Sequence, residues 1–284
     1  MMFPALALII VYRYIPMGGL IMVFQDYRIT RSLFACDWVG FKNFSTVFSK
    51  YAFQLALNNT IIISLYKLVL AFPAPILLAL MLNELHGTRL KRLLQTCYYL
   101  PHFISWVVIS SLVFTFFAPE SGAISSWFSE IFGIRIDVLT NAKVFRGTLV
   151  VTDIWKEIGW SSIIYLATIV GIDPELYEAA RVDGARKLQM IWYVTLPGLL
   201  PTIMTMLLLR VGHILDAGFE QILVMQNALV WDVSEILDTY SYALAFQSGK
   251  HAQAAVVGCV KSVVGLVLVL TTNAIAKRYD QEVL

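Results

Sequence analysis

Long apolar runs alternate with short polar stretches along the whole chain. A helix rises about 1.5 Å per residue and a bilayer's hydrocarbon core is about 30 Å thick, so roughly 20 mainly apolar residues cross it. Six runs reach that length, at about 2–24, 54–82, 98–118, 147–170, 199–224 and 253–276. Polar stretches separate them near 25–53, 83–97, 119–146, 171–198 and 225–252, with a tail at 277–284. Lipid offers no partners to backbone N–H and C=O groups, so each run must satisfy its own, which predicts helices. Strands of a membrane barrel would alternate over about ten residues, and no run does so. The pattern predicts an all-α integral membrane protein with six transmembrane helices, 1–284 forming a single transmembrane domain.

Composition agrees. Hydrophobic residues make up 58% and charged residues 14%, with a mean hydropathy of +0.72. A soluble domain carries about one quarter charged residues. The net charge of +2 is too small to suggest a nucleic-acid partner. Cys36, Cys97 and Cys259 are far apart and form no C-x-x-C pair, so neither a disulfide framework nor a zinc site is indicated. The first run lacks a small-residue cleavage site and reads as an uncleaved span. It begins with no polar flank, as expected where a natural N-terminal lead is missing.

Six crossings put both termini on one side. Cytoplasmic loops are enriched in Lys and Arg. One side holds Arg89, Lys91, Arg92, Arg181, Arg186, Lys187, Lys277 and Arg278. The other holds Arg28, Arg31, Lys42, Lys50, Arg135, Lys143, Arg146 and Lys250. The sets are equal in number, but the first is denser because its segments are shorter. The expectation is N-in and C-in.

Arg13, Lys67, Asp153, Lys156, Glu157, Arg210, Asp216, Glu220 and Lys261 fall inside or near the ends of the runs. Each intramembrane charge costs at least about 2.5–3.5 kcal/mol, so it should face the bundle or a wet cavity. Asp153, Lys156 and Glu157 stand at spacings that allow local pairing. Arg210, His213, Asp216 and Glu220 recur at helical spacing and would share one side of a continuous fifth helix. Together with Lys67 they are the candidate lining of a solute pathway; pairing between helices of a static bundle would require the same burial. Pro73, Pro75 and Pro201 predict kinks. Two aromatic–polar pieces, 38–44 and 124–128, read as interfacial belts or, alternatively, sugar-stacking surfaces. The polar segment 226–251 reads as a cap or a partner surface.

Catalytic chemistry is missing from the sequence. There is no G-x-x-x-x-G-K-[ST], no H-E-x-x-H and no G-x-S-x-G, and His86, His102, His213 and His251 are dispersed. The chain is not expected to be an enzyme or to hold a metal or cofactor. Active transport would need an ion gradient or another subunit.

The segment 171–198 is the most patterned polar interruption. Asp173 is placed to cap a helix, Pro174 suits its first position and Glu175 lies near the positive end of its dipole. Leu176 and Tyr177 offer anchors, and Ala179 and Ala180 allow close approach. Asp183-Gly184 breaks the run, Ala185 to Tyr193 predicts a second short helix, and Pro197 marks the start of the next span. A helix–turn–helix piece of this kind fits a groove on a soluble partner; the alternative is a plain interfacial loop.

These residues carry a family resemblance. Glu178, Ala179, Ala180, Asp183, Gly184, Ala185, Leu196 and Pro197 resemble the coupling loop of permease subunits of binding-protein-dependent ABC importers. Ile154-Trp155-Lys156, Gly159-Trp160, Tyr165-Leu166-Ala167, Gly218-Phe219-Glu220, Asp238-Thr239-Tyr240 and Asn273-Ala274-Ile275-Ala276 extend it. Tyr14-Ile15-Pro16-Met17, Trp38-Val39-Gly40 and Leu100-Pro101-His102 are similar to the branch that imports oligosaccharides and polysaccharide fragments, including alginate-type importers. Such permeases usually have a short cytoplasmic lead, from which the abrupt start of this chain departs.

The resemblance implies a multi-pass subunit of the bacterial cytoplasmic (inner) membrane. It places 171–198 in the cytoplasm as a coupling helix between the fourth and fifth spans. Leu176, Tyr177, Glu178, Ala179, Ala180, Asp183, Gly184 and Ala185 would then dock on a dimer of ABC ATPase subunits that bind ATP and Mg. It also implies a second homologous permease, an extracytoplasmic solute-binding protein and a saccharide substrate. Lys67, Lys156, Arg210 and Lys261 would suit an anionic sugar such as a uronate oligosaccharide. The acidic groups on the fifth run weigh toward a neutral one. The alternative function is an ion-coupled secondary transporter or channel with a protonatable stripe at His213, Asp216 and Glu220.

Overall fold

The computed structural model describes residues 3–85, 87–119, 121–133 and 137–277. Met2, His86, Arg135, Arg278 and the rest of the tail to 284 lie outside the described residues. The backbone is helical with one isolated antiparallel bridge, Gln25 to Trp38, and no strands among the described residues. The helices are α1 (Phe3–Phe24), α2 (Lys42–Phe48), α3 (Tyr51–Glu84), α4 (Thr88–Phe103), α5 (Trp106–Phe117), α6 (Ala123–Phe132) and α7 (Ala142–Val170). They continue with α8 (Pro174–Val182), α9 (Lys187–Gly212), α10 (Phe219–Met225), α11 (Trp231–Ser234), α12 (Leu237–Tyr242) and α13 (His251–Lys277). Four of these, α1, α3, α9 and α13, are long and apolar enough to cross a membrane, or five if α4 and α5 form one bent span. α7 is long enough, at 29 residues, but carries Asp153, Lys156 and Glu157 at its centre.

The chain divides into two compact units. The first comprises residues 1–60 and 235–265. Its core is Val23, Val47, Phe53, Leu237, Tyr240, Leu244, Val256 and Val257. Asn43 Nδ2 donates to the carbonyls of Val23 and Gln25 at 2.9 Å, and Trp38 stacks on Phe24 at 5.4 Å. The aromatic piece 38–44 thus folds back on the end of α1. Lys261 Nζ donates to both carboxylate oxygens of Asp238, at 2.7 and 2.9 Å.

The second unit comprises residues 61–234 and 266–284. Here α7 packs against the second half of α3, α4 and α9, around Ile76, Ala79, Leu82, Tyr165, Leu166, Ile169 and Leu199. Pro73 has no N–H for Val69, and Pro75 has none for Ala71. α3 takes a π-helical turn over Lys67–Ala71 just ahead of these prolines, with Phe72 N donating to Lys67 O at 3.0 Å. α9 repeats the device, with a π turn over Ile191–Thr195 before Pro197. The chain therefore enters α9 at Lys187 and runs helically through Pro197, instead of closing a short helix and restarting.

The contact of α4 with α7 depends on Gly159. A Cβ there would fall on the backbone carbonyl of Tyr98. Backbone cannot rotate aside as a side chain does, so Gly159→Ala is expected to destabilise by about 1–3 kcal/mol, toward the upper end. The control is Gly147→Ala on the same helix, where nothing lies within 4 Å of the new methyl. Thermal unfolding of the detergent-purified protein should show a drop for the first and none for the second. Equal midpoints would mean the helices are not in contact.

Two expected spans differ from the structure. The run 98–118 is broken, α4 and α5 meeting at 103°. Pro101 and a turn of tight helix over Leu100–Phe103 end α4, and Ser105 caps α5 by accepting from Val108 N. The run 199–224 does not form one helix either. α9 ends at Gly212, and the chain restarts at α10 after Gly218, whose φ of +102° L-residues rarely adopt.

Candidate functional site

Two places in the second unit gather the polar groups that apolar sequence does not explain. The first is the segment around α8. Asp173 Oδ1 accepts from Glu175 N at 2.9 Å and Pro174 occupies the first turn, as the cap pattern predicts. The helix ends by a Schellman motif. Gly184 N donates to Arg181 O at 3.0 Å, and Ala185 N donates to Ala180 O at 2.9 Å. Gly184 has a φ of +77°. Asp183-Gly184-Ala185 is therefore a helix stop whose geometry calls for glycine at its centre.

α8 presents Leu176, Ala179, Val182 and Asp183 outward, Val182 being 87% exposed. Its other side faces a groove of about 420 Å³ lined by Glu84, Ile172, Tyr177, Glu178, Arg181, Lys187 and Thr195, among others. Tyr177 and Thr195 share a hydroxyl–hydroxyl hydrogen bond at 3.0 Å, and Lys187 Nζ lies 3.6 Å from Glu84 Oε2. So α8 is braced on α9 through Tyr177, and the start of α9 on the end of α3 through Lys187. The sequence marks Arg181 and Lys187 only as basic residues of their segment and does not point to Thr195 or Glu84. Arg181 is part of α8 itself; Lys187, Thr195 and Glu84 lie outside it, and only folding brings them to the groove.

The bracing gives a test. Tyr177→Phe keeps the ring and removes the bond to buried Thr195, and the net cost of one such hydrogen bond is about 0.5–1.5 kcal/mol. Hydrogen exchange at the amides of α8 should accelerate about 2- to 10-fold, while exchange in α13 stays unchanged. Unchanged exchange at α8 would show that the hydroxyl is no brace.

The second place is a cavity of about 600 Å³ between α3, α7 and α9. Phe72, Pro75, Trp106, Tyr165, Met206 and Leu209 supply its apolar wall, and Asp153, Glu157, Arg210, His213 and Asp216 its charged and polar groups. Lys67, only 2% exposed, lies behind this wall. Its Nζ donates to Asp153 Oδ1 at 2.9 Å and to Gln221 Oε1 at 2.6 Å. Gln221 in turn donates to Leu149 O at 2.7 Å and Thr152 Oγ1 at 2.8 Å. A Cβ at Gly218 would stand 2.7 Å from Lys67 Nζ, so the glycine makes room for the ammonium.

A second network sits beside it. His102 Nδ1 lies 2.8 Å from Glu157 Oε2, and its ring stacks on Trp160 at 4.6 Å. Lys156 Nζ donates to the carbonyls of His102 and Ile104, groups that the break between α4 and α5 leaves without helical partners. Asp153 and Lys156 thus reach other helices rather than each other; within the expected trio only Lys156 and Glu157 approach, at 3.7 Å.

The stripe expected on one helix is divided. Arg210 is in the last turn of α9, His213 and Asp216 are in the turn beyond it, and Glu220 is exposed on the first turn of α10. Arg210, His213 and Asp216 line the cavity; Glu220 does not. Gly212 and Gly218 bracket the break, and that glycine pair was its signal in the sequence. Among the described residues no group of His, Cys, Asp and Glu is arranged to hold a metal ion.

An all-helical chain with several apolar helices long enough to cross a membrane, and with charged side chains paired between helices, is a multi-pass membrane protein. Residues 71–281 match the family described as binding-protein-dependent transport system inner membrane component, and the chain belongs to that family. It is 40% identical over 282 residues to protein LplB of Bacillus subtilis (strain 168), covering 99% of this chain and 89% of that protein. It is 39% identical to the polygalacturonan/rhamnogalacturonan transport system permease protein YteP of the same organism, over 99% and 88% of the two chains. Among solved structures, it superimposes with a TM-score of 0.92 and 39% identity on a chain of a bacterial alginate ABC transporter in complex with an alginate pentasaccharide-bound periplasmic protein. That match covers 99% of this chain and 94% of the other. A chain of an amino acid ABC transporter, at 14% identity and a TM-score of 0.54, shares the fold. The protein is a membrane permease subunit of a binding-protein-dependent transport system.

Proposed function

We propose that this chain forms half of the translocation pathway of an ATP-driven importer for an oligosaccharide or polysaccharide fragment. α8 transmits the motion of a separate cytoplasmic ATPase dimer to that pathway. The observation that carries the coupling role is the capped, glycine-stopped α8 with its outward Leu176, Ala179 and Val182 and its inward brace from Tyr177 to Thr195. A rigid-body push on α8 reaches α9 through this hydrogen bond and α3 through Lys187 and Glu84, and both helices line the cavity. The relatives named for polygalacturonan, rhamnogalacturonan and alginate support a saccharide cargo.

In this reading the chain crosses a bacterial inner membrane six times, with both termini and α8 in the cytoplasm, α7 being the span whose charges are paired inside. ATP and Mg bind on the ATPases. A second, homologous permease completes the pathway, and an extracytoplasmic binding protein delivers the sugar. The test is the ATPase rate of the full complex in proteoliposomes. Sugar-loaded binding protein should stimulate hydrolysis severalfold over the empty form. No stimulation by any charged or neutral oligosaccharide would sink the reading.

A further inference from the structure

In and around the cavity between α3, α7 and α9, the three acids Asp153, Glu157 and Asp216 stand against the three permanent cations Lys67, Lys156 and Arg210. Each acid that lines it already has a partner. Asp153 accepts from Lys67 at 2.9 Å, Glu157 lies 2.8 Å from His102 Nδ1 and 3.7 Å from Lys156 Nζ, and Asp216 lies 3.1 Å from His213 Nδ1. The cations other than Arg210 are also engaged. Lys67 is almost wholly buried and divided between Asp153 and Gln221, and Lys156 is held by the carbonyls of His102 and Ile104. The guanidinium of Arg210 makes no hydrogen bond or ion pair with any described residue, and its side chain is open to the cavity.

The guanidinium shares the cavity lining with Trp106, Leu209 and Met206 and is open to whatever enters it. Its planar fork matches the two oxygens of one carboxylate, and such a bidentate charged pair is stronger than a neutral hydrogen bond. Phe72 and Trp106, both half-buried in the lining, offer flat apolar faces to a sugar ring. The volume, about 600 Å³, lies within the roughly 300–1,000 Å³ typical of small-ligand pockets. Arg210 is also well removed from the coupling groove, roughly 35 Å along α9 from Lys187 at helical rise.

We propose that Arg210 is a specificity-determining residue that takes the carboxylate of a uronic-acid unit as the oligosaccharide passes through this cavity. The proposal rests on the importer reading above and adds to it the charge of the cargo and the residue that reads it. Lys67 and Lys156, which composition alone would add to an anion site, belong to the scaffold. Asp153 and Glu157 face Lys67 and Lys156, Asp216 stands beside His213, and Glu220 lies outside the cavity.

The experiment uses the complete complex in proteoliposomes, with both permeases, the ATPase pair and the binding protein. ATP-driven uptake is measured for trigalacturonate and for its methyl ester, which keeps the sugar's shape and removes its charge. Each sugar is supplied at a level that saturates the binding protein, so the change in acid-to-ester ratio between variants isolates the permease. Wild type should favour the acid. Arg210→Gln should lower acid uptake about tenfold while ester uptake stays within about twofold, and Arg210→Lys should recover part of the acid uptake because charge returns without the fork. An unchanged ratio in Arg210→Gln, or equal uptake of the two sugars by wild type, overturns the assignment and leaves the importer reading standing. Loss of both sugars alike, with Lys restoring neither, gives Arg210 a structural role and also overturns it. Wild-type complex that imports neither these nor neutral oligosaccharides would instead bring down the importer reading itself.

Discussion

Lys67→Met is expected to destabilise the protein by about 3–5 kcal/mol, because it leaves Asp153 without its buried counter-ion. The methionine fills much the same volume, so packing alone would predict a small change. The larger figure comes from Asp153 and Gln221, which lose their donor in a place where Asp153 is only 16% exposed. The diagnostic variant is the double substitution Lys67→Met with Asp153→Asn. It removes both charges and should recover most of the loss, since a buried pair replaced by neutral groups is often close to neutral in stability. Thermal unfolding of the three proteins in one detergent measures this. If the single variant melts with wild type, or the double variant melts no higher than the single, the ion pair is not holding α3 to α7.

Gly184→Pro is expected to remove nearly all ATP-driven uptake while leaving the amount of protein in the membrane unchanged. Proline fixes φ near −65°, whereas Gly184 stands at +77°, and proline lacks the N–H that Gly184 gives to Arg181 O. Both features of the Schellman stop are lost, so α8 cannot end where it does. Nothing lies within 4 Å of a Cβ at this position, so the change is confined to the turn. Gly184→Ala keeps the N–H and carries only the left-handed strain, about 1–2 kcal/mol, and should retain part of the uptake. Uptake and ATP hydrolysis are measured together: the proline variant should hydrolyse ATP without answering to sugar-loaded binding protein. Normal uptake by Gly184→Pro would show that the turn does not transmit.

The two places differ in how much of them could be read from the chain. The α8 segment was legible because its signals are local. Asp173 before Pro174 names the start and Gly184 names the stop, and both are satisfied within a few residues by backbone hydrogen bonds. The cavity was only half legible. Lys67, Arg210, His213 and Asp216 stand out in the chain as polar groups in apolar surroundings, yet the single helix face expected for Arg210, His213, Asp216 and Glu220 does not form, because the helix stops at Gly212 and restarts after Gly218. The trio Asp153, Lys156 and Glu157 is spaced for local pairing, but only Lys156 and Glu157 approach each other, while Asp153 and Lys156 hydrogen-bond to groups 86 and 54 residues away.

The sequence by itself determined the solvent of this protein, the helical form of its apolar runs and the caps of α8. Those follow from backbone groups that lipid cannot satisfy and from residue types with fixed local preferences. Tertiary structure alone decided which charge answers which. An ammonium in an apolar helix must find a partner, but whether that partner is Asp153 or a broken helix's carbonyls depends on which helices lie beside it. Composition offers several cations of equal standing in the apolar runs. Packing satisfied Lys67 and Lys156 from within and left the guanidinium of Arg210 facing the cavity.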